Sequence, residues 1–194
     1  MIHRGDFAMN ESIFLKINEE TQLKYLSLND APVLFNLIEK NRSYLRQWLP
    51  WLDHNKTLED STSYIQKSIL GYQTKDELSL AIIYNKNIVG TISFNSINDS
   101  LKLAIIGYWL DKDHQGKGII TNSCKQLISY GFENLKLEKI KISCAIKNTS
   151  SNAIAKKLHF KLQEMKIKNE WLYDHYEDTN IYIMTKEDWL NIVF

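Results

Sequence analysis

Apolar residues recur along this chain with two spacings, one typical of strands and one typical of amphipathic helices. Short runs rich in β-branched and aromatic residues alternate with turns rich in Asn, Asp, Ser and Gly, and this pattern predicts eight strands. The predicted strands are Ile13–Ile17, Leu23–Leu28, Leu78–Tyr84, Ile88–Asn95, Leu101–Leu110, Ile140–Ile146, Phe160–Lys168 and Thr179–Met184.

Helical spacing occurs in five stretches outside these strands. The first predicted helix starts at Asn29 or Asp30, residues suited to capping a helix, with Pro32 in its first turn. A capping signal at Thr57 or Asp60 opens the second. The other predicted helices are the stretch from Gly118 to Phe132, Asn148–Leu158 and a closing turn at Lys186–Ile192.

The order of the elements is two strands, helices, several antiparallel strands and then β-α-β-α-β-β. Such an order predicts an α+β fold, in which a mixed and mostly antiparallel sheet carries helices on its faces. With 194 residues, 2 prolines and 7 glycines, the chain leaves little room for a flexible linker. We therefore predict a single domain over residues 1–194, with residues 1–12 as a loose leader.

The stretch Ile105–Phe132 carries the strongest chemical signal. A β-prone run ends at Leu110, a polar turn follows, and Gln115-Gly-Lys-Gly118 then opens an amphipathic helix. The first N–H groups of a helix have no internal partner and face the positive end of its dipole, and glycines let the backbone approach a phosphate closely. The segment Gln115 to Ile120 is thus predicted to bind an anion, although a helix start with a solvated lysine would give the same pattern.

Neither common phosphate motif fits this turn. It lacks the GxxxxGK[ST] of a P-loop, since Ile119 and Ile120 follow the second glycine, and it is not GxGxxG after an early strand.

Composition and charge exclude several classes of protein. There are 24 Lys and Arg against 23 Asp and Glu, a net charge of +1, which argues against a general nucleic-acid binder. Cys124 and Cys144 have neither CxxC nor metal-ligand spacing, so we expect buried free thiols and no metal. With no apolar run near the roughly 18 residues of a membrane span and no signal-peptide pattern, we predict a cytoplasmic protein without a membrane partner.

The turn and its surroundings resemble the GNAT acetyltransferases. Gln115-Gly116-Lys117-Gly118 is similar to the Q/R-x-x-G-x-G/A turn that holds the pyrophosphate of acetyl-CoA in that family. Several further motifs, from about Leu23 to Trp189, resemble the RimJ/RimL-type subgroup, which acts on ribosomal-protein N-termini. These motifs are Trp48-Leu-Pro-Trp51, Gly107-Tyr-Trp-Leu110, Ser129-Tyr-Gly-Phe132, Asn148-Thr-Ser-Ser-Asn152, Leu158-His-Phe160 and Glu170-Trp171.

The chain departs from the family pattern at two positions. Ile120 replaces the last Gly or Ala of the turn, where only the N–H needs to face phosphate. His159 replaces the usual glycine before Phe160, and a positive φ there would mildly strain a histidine.

The resemblance implies how acetyl-CoA is held. The strand before the turn splays from its neighbour and pairs with the pantetheine arm, and the Leu110 N–H polarises the thioester carbonyl. Lys156 or Lys157 neutralises the 3′-phosphate, unless both lysines are simply solvated. The implied cofactor-binding residues are Trp109, Leu110, Gln115, Gly116, Lys117, Gly118, Ile119, Ile120, Asn148, Asn152 and Lys156.

The resemblance also implies the catalytic groups. Glu170 matches the proposed base and Ser151 the group that protonates the leaving thiolate. The alternatives are a surface strand position for Glu170, a helix cap for Ser151, a water or tyrosine relay as the base, and Tyr173 or Tyr176 as the thiol acid. His114 is expected to be solvated in its polar turn.

The resemblance does not fix the acceptor. We expect direct acetyl transfer to a protein N-terminal α-amine, with a small amine or a non-catalytic CoA-binding module as alternatives. Trp48, Trp51 and His175 are candidate acceptor contacts, although the tryptophans could equally be packing residues. A homodimer is possible, as in related enzymes.

Overall fold

The computed structural model describes residues 13–192 as one mixed sheet with helices packed on both faces. Its strands are β1 (Phe14–Lys16), β2 (Thr21–Tyr25), β3 (Leu78–Tyr84), β4 (Asn87–Asn98), β5 (Leu103–Leu110), β6 (Lys139–Ala145), β7 (Lys161–Leu172) and β8 (His175–Thr185). They lie in the order β1-β2-β3-β4-β5-β6-β8-β7, and every neighbouring pair is antiparallel except β5 and β6. The predicted α+β arrangement is confirmed, and the leader predicted at residues 1–12 lies outside the described residues.

The helices begin where local capping predicts. Asp30 holds the N-cap position of the first helix, with proline in the first turn, but its carboxylate accepts from Ser27 rather than from the helix. The Thr57 hydroxyl accepts from the Asp60 N–H, and the Asp60 carboxylate accepts from the Thr57 N–H in return. No helix within residues 13–192 is long and apolar enough to cross a membrane. The helices are α1 (Ala31–Leu45), α2 (Leu58–Thr74), α3 (Ile119–Glu133), α4 (Thr149–Lys157) and α5 (Lys186–Leu190).

Alternate residues of β5 divide the apolar core into two clusters. Ile106 and Leu110 belong to the larger cluster, which also contains the buried faces of α3 and α4. Trp109 points the other way, into a smaller cluster with α1 and α2. Cys124 and Cys144 are buried free thiols in the larger cluster, as predicted. Because side chains of a strand alternate between faces, β5 presents one set of groups to each helical layer.

The parallel pair β5–β6 holds together over only part of its length. Residues 103–106 pair with residues 139–142, whereas β5 continues to Leu110 and β6 to Ala145. Beyond Ile106 the two strands separate, and a cleft opens between them. The splayed strand pair predicted from the sequence is therefore present.

The hairpin of β7 and β8 is longer than the sequence predicts. β7 runs to Leu172 rather than Lys168, and β8 starts at His175 rather than Thr179. A register shift between Lys166 and Glu170 interrupts their pairing. The prediction fell short because β7 is an exposed edge strand, whose side chains need not alternate between apolar and polar.

Candidate active site

The cleft between β5 and β6 widens into a cavity of about 780 Å³. One wall comes from the diverging strands and another from the start of α3 and the first turns of α4. Residues 44–51, at the end of α1 and in the following 3₁₀ segment, cover the side opposite α4. The cavity thus has an α3/α4 side and an α1 side, which are kept apart by the sheet.

Two glycines shape the turn that enters α3. Gly116 has φ +76° and Gly118, the N-cap of α3, has φ +74°. The Asn122 N–H donates to the Gly118 carbonyl at 3.0 Å and makes the first α-helical bond. The N–H groups of Ile119 and Ile120 therefore precede the helical ladder, and both residues line the cavity. A Cβ at Gly116 would meet nothing within 4 Å, so a ligand can approach the backbone there.

The buried carboxylate of Asp111 holds this turn in place through hydrogen bonds. It is 1% exposed and accepts hydrogen bonds from Asn41 (2.9 Å), Lys40 (3.0 Å) and His114 (2.8 Å). Burial alone would raise the pKa of Asp111, but these bonds together hold it below its ordinary value. The Asn41 amide oxygen also accepts from the Lys112 N–H at 3.0 Å. The turn is therefore tied to α1, and His114 is held in place rather than solvated as predicted.

The side chains of the turn do not all face the cavity. Gln115 lines it and donates to the Tyr44 hydroxyl. Lys117 is not in the cavity wall, because its ammonium group lies 5.2 Å from the centre of the Tyr84 ring. The turn therefore presents backbone N–H groups, and not the Lys117 side chain, to the cavity.

The backbone of β5 offers hydrogen-bonding groups to the cleft. The Asp111 N–H donates to the Val89 carbonyl at 2.7 Å and so points towards β4. Since successive residues of a strand point their N–H groups to opposite neighbours, the Leu110 N–H faces the β6 side, where the cleft opens. Leu110 and Trp109 both line the cavity.

Ser151 is not the N-cap of α4, which was the alternative considered for it. Asn148 is the N-cap, and its side-chain oxygen accepts from the Ser151 N–H at 3.1 Å. Ser151 therefore lies inside the first turn, its hydroxyl caps nothing, and both residues line the cavity.

Asn152, one residue further, turns inward. Its amide nitrogen donates to the carbonyls of Ala145 (2.9 Å) and Asn148 (2.7 Å), and its oxygen accepts from Asn180 (2.7 Å) and Tyr182 (2.8 Å). It is 6% exposed and not in the cavity wall. Asn152 therefore joins α4 to β6 and β8 rather than presenting its amide to a ligand.

Of the two lysines near the end of α4, Lys157 lines the cavity and Lys156 does not. Neighbouring residues of a helix point about 100° apart, so only one of them can face a given side. This corrects the choice of Lys156.

Glu170 lines the cavity from β7 and is partly buried. Burial raises its pKa, and the charge of Glu177 raises it further. Glu177 is itself 6% exposed and accepts from Lys147 (3.2 Å) and His175 (3.1 Å). Burial, followed by the charge of Glu170, raises the pKa of the Cys144 thiol to about 11. Glu170 is therefore a carboxyl that binds its proton more tightly than an ordinary glutamate does.

Aromatic side chains cover the α1 side of the cavity. Trp48 and Trp51 both line it, as the sequence suggested. The Tyr173 hydroxyl donates to the Leu49 carbonyl, and the Arg46 guanidinium lies 3.7 Å from the centre of the Tyr173 ring. This segment is thereby fastened to the tip of the β7–β8 hairpin.

Other proposed groups lie outside the cavity wall. His175 is exposed and hydrogen bonded to Asp174 (2.7 Å) and Glu177. Tyr176 is exposed and packs edge-on against Trp171, with ring centres 4.9 Å apart.

The sequence analysis assigned no role to two polar residues of the cavity wall that now stand out. Tyr108 and Asn95 both line the wall. A register shift between Phe94 and Ser96 in β4 accommodates Asn95, whose side chain leaves no room for a Cβ at Gly107. Gly107 could have indicated this packing from the sequence, because a glycine inside a strand often marks a bulge or a close approach. Nothing local distinguishes Tyr108 from the other tyrosines of the chain.

The chain matches the family described as "Acetyltransferase (GNAT) domain" over residues 21–161. A curated relative, the ribosomal-protein-serine acetyltransferase of Escherichia coli (strain K12), is 34% identical over 174 residues, covering 90% of this chain and 96% of the relative.

Two solved structures are similar over nearly the whole chain. RimL, a ribosomal alpha-N-protein acetyltransferase solved in complex with coenzyme A, has a TM-score of 0.88 at 29% identity and covers 91% of this chain and 99% of its own. The microcin self-immunity acetyltransferase MccE, solved with acetyl-CoA and AMP, has a TM-score of 0.84 at 36% identity, with coverage of 88% and 94%. These similarities confirm the predicted fold.

Proposed function

Because this chain belongs to the GNAT family of acetyltransferases, we propose that it transfers the acetyl group of acetyl-CoA directly to the N-terminal α-amine of a protein of the ribosomal-protein type. The observation that carries the proposal is the cleft itself. A splayed strand pair, a glycine turn with outward N–H groups and a carboxyl of raised pKa all meet at one cavity. The acceptor class rests on the relatives, two of which are named for ribosomal proteins.

The residues of the cleft fit acetyl-CoA. Backbone N–H groups of Gly116 to Ile120 suit its pyrophosphate, and the β5 backbone at Leu110 suits its amide-bearing arm. Asn148 lines the same wall, and Lys157 is the lysine placed to meet a phosphate. Acetyl-CoA supplies an activated acetyl group, and the protein has to orient it and handle the protons.

Glu170 is the group assigned to deprotonate the acceptor. An α-amine titrates near 7.7–8.0, so at pH 7 releasing its lone pair costs about 1 kcal/mol, whereas a lysine side chain near 10.4 costs about 4–5 kcal/mol. A carboxyl whose pKa is raised by burial and by Glu177 is a sufficient base for the first acceptor and a poor one for the second.

The remaining steps use two groups on opposite sides of the cleft. We assign the Leu110 N–H, on the open side of β5, to the thioester carbonyl, where it stabilises the negative charge that develops. Ser151 presents its hydroxyl to the leaving sulfur. The competing tyrosines are engaged elsewhere, since Tyr173 donates to Leu49 and Tyr176 lies outside the wall.

A second acceptor class has support from one comparison. MccE was solved with AMP, and this chain has tryptophans at the α1 side of its cavity. A small amine attached to a nucleotide is therefore the competing acceptor. The third reading is a CoA-binding module without turnover.

The test is acetyl-CoA turnover against a panel of amines. The panel contains peptides with ribosomal-protein N-termini, the same peptides with a blocked α-amine and a free lysine, aminoacyl-nucleotide analogues and polyamines. We expect acetylation at the peptide α-amine. Preference for the nucleotide amine favours the second class, and binding of acetyl-CoA with no acetylated amine contradicts an enzyme.

Cytoplasmic location and a homodimer complete the proposal, with no nucleic acid or membrane as partner. A ribosomal-protein acceptor and two buried free thiols support the cytoplasm. The edge strand β7 exposes Met165, and antiparallel pairing centred there sets Glu164 opposite the partner's Lys166 and Lys166 opposite the partner's Glu164. Sedimentation of the wild type and of Met165→Lys tests this, since an unchanged dimer in the variant contradicts pairing along β7.

A further inference from the structure

The hydroxyl of Tyr108 is buried without a hydrogen bond of ordinary length and angle. Only three other side-chain groups share this condition within residues 13–192, namely those of Tyr25, Ser68 and Ser123. A buried hydroxyl without a partner costs free energy and therefore calls for a reason. Of these four residues, only Tyr108 lines the cavity.

The position of Tyr108 on β5 sets its direction. Ile106 and Leu110, two residues to either side, belong to the larger core cluster below α3 and α4, and Tyr108 packs against that same cluster. Ser151 reaches the cavity from α4. The two hydroxyls are close enough for Ser151 to influence the titration of Tyr108, although no ordinary hydrogen bond joins them.

The hydroxyl of Ser151 is also uncommitted to the helix. The N-cap role belongs to Asn148, and the Ser151 backbone N–H is the group that Asn148 binds. A serine hydroxyl rotates about its Cβ–Oγ bond, so its proton has no fixed direction unless a neighbour fixes it.

We propose that Tyr108 is a positioning residue whose hydroxyl donates to the Ser151 Oγ, so that the Ser151 proton points at the leaving sulfur. The proposal rests on the acetyl transfer proposed above and assigns Ser151 a partner. A donor at its Oγ occupies one lone pair of Ser151 and turns the hydroxyl proton away from Tyr108, towards the cavity that Ser151 lines.

Tyr108 acts as a donor and never passes on its proton. Burial raises the pKa of its phenol well above the ordinary value of 10, so the hydroxyl stays protonated over the neutral range. As the carbon–sulfur bond breaks and the carbon–nitrogen bond forms, Ser151 gives its proton to the sulfur. It regains one from the acceptor nitrogen, whose other surplus proton has gone to Glu170.

The experiment compares four variants with the wild type. They are Tyr108→Phe, Ser151→Ala, the double variant, and Tyr25→Phe as a matched control. Tyr25, on β2, is also a tyrosine whose buried hydroxyl has no partner, but its ring packs against Tyr72 of α2 and it does not line the cavity. Phenylalanine preserves the ring in both cases, so folding should survive.

We expect Tyr108→Phe to lower kcat about tenfold with an unchanged KM for acetyl-CoA. The double variant should be no slower than Ser151→Ala alone, because Tyr108 acts only through Ser151. Tyr25→Phe should leave kcat unchanged. An additive double variant, an unchanged kcat for Tyr108→Phe, or a rise in KM alone overturns the proposal.

A second measurement separates this proposal from the proposed function. Bound CoA is titrated by the ultraviolet absorbance of its thiolate, which requires no turnover. Removing a hydrogen-bond donor to the thiolate raises the pKa of the bound thiol. Tyr108→Phe and Ser151→Ala should therefore raise this pKa by similar amounts, and Tyr25→Phe should leave it unchanged. If the wild type acetylates no amine but this pattern holds, the proposed function fails while the pairing stands. If the wild type turns over and the pattern is absent, the pairing fails.

Discussion

Glu170 and Glu177 stand directly opposite each other on β7 and β8, and the second carboxylate is the more deeply buried. Lys147 and His175 compensate the charge of Glu177, while Glu170 faces the cavity. Two carboxyls in adjacent positions resist ionising together, so the pair sets the proton affinity of the cavity-facing member.

The exchange Glu177→Gln should shift the acid limb of the pH profile. Burial first, and then the charge of Glu177, raise the pKa of Glu170. Without that charge the pKa of Glu170 falls, so the base is deprotonated at lower pH and the acid limb of kcat/KM moves to lower pH. Glu164→Gln, an exposed change on the neighbouring strand β7, is the control. A limb that stays in place or moves upward contradicts the role of Glu177.

Glu170→Gln should be less active yet more stable than the wild type at neutral pH. A loss of about 10²- to 10⁴-fold in kcat is typical for removal of a general base. Because the folded pKa of Glu170 is raised, the folded state binds its proton more tightly than the unfolded chain does. Wild-type stability therefore falls as pH rises from about 4.3 through the folded pKa, and the variant avoids this loss.

The gain should be largest at pH 8 and vanish below pH 4. Thermal unfolding of both proteins over this range measures it. An equal difference at every pH would show that the effect is unrelated to the charge of Glu170.

Lys117→Ala should weaken acetyl-CoA binding only modestly, and Gly118→Val should weaken it severely. The lysine lies over Tyr84, whereas Gly118 holds a left-handed conformation that costs an L-residue about 1–2 kcal/mol and a β-branched one more. Isothermal titration should give changes of less than about threefold and more than about tenfold, respectively. The reverse order would show that side-chain charge, not backbone, holds the phosphate.

His159→Gly should stabilise the fold without altering activity. His159 has φ +63°, and the helix α4 ends there with bonds from the His159 N–H to Lys156 and from the Phe160 N–H to Ala155. This ending favours glycine, and we expect a gain of about 0.5–1 kcal/mol in denaturant unfolding. His159→Ala keeps the positive φ and should therefore be no more stable than the wild type. An equal gain in stability in both variants would show that the cost comes from the histidine side chain rather than from the backbone.

Local signals predicted much of this protein. The helix start at Thr57 has its capping partner three residues later. The turn before α3 has both of its glycines within three residues of the chain. His159, which replaces a family glycine, has the positive φ that was considered for this position. In each case the residues that determine the structure are neighbours in the chain.

Long-range contacts could not be predicted in the same way. Asp111 meets Lys40 and Asn41 some 70 residues away in sequence, so no local pattern reveals that His114 is fixed. Helical phase decides between Lys156 and Lys157, and it depends on how α4 packs. The partner of Tyr108 depends on the distance between β5 and α4, which the sheet sets.

The divergence of β5 from β6 after Ile106 bears on how long the protein survives in a cell. On the side of β5 that faces the cleft, none of the described strands pairs with the backbone beyond Ile106. A ligand whose amides pair there therefore binds the folded state alone. Such a ligand at a hundredfold excess over its Kd stabilises that state by about 2.7 kcal/mol. The rate at which proteases remove this protein should therefore fall when coenzyme A and its acetyl ester are abundant, so that their supply affects the amount of the protein as well as its activity.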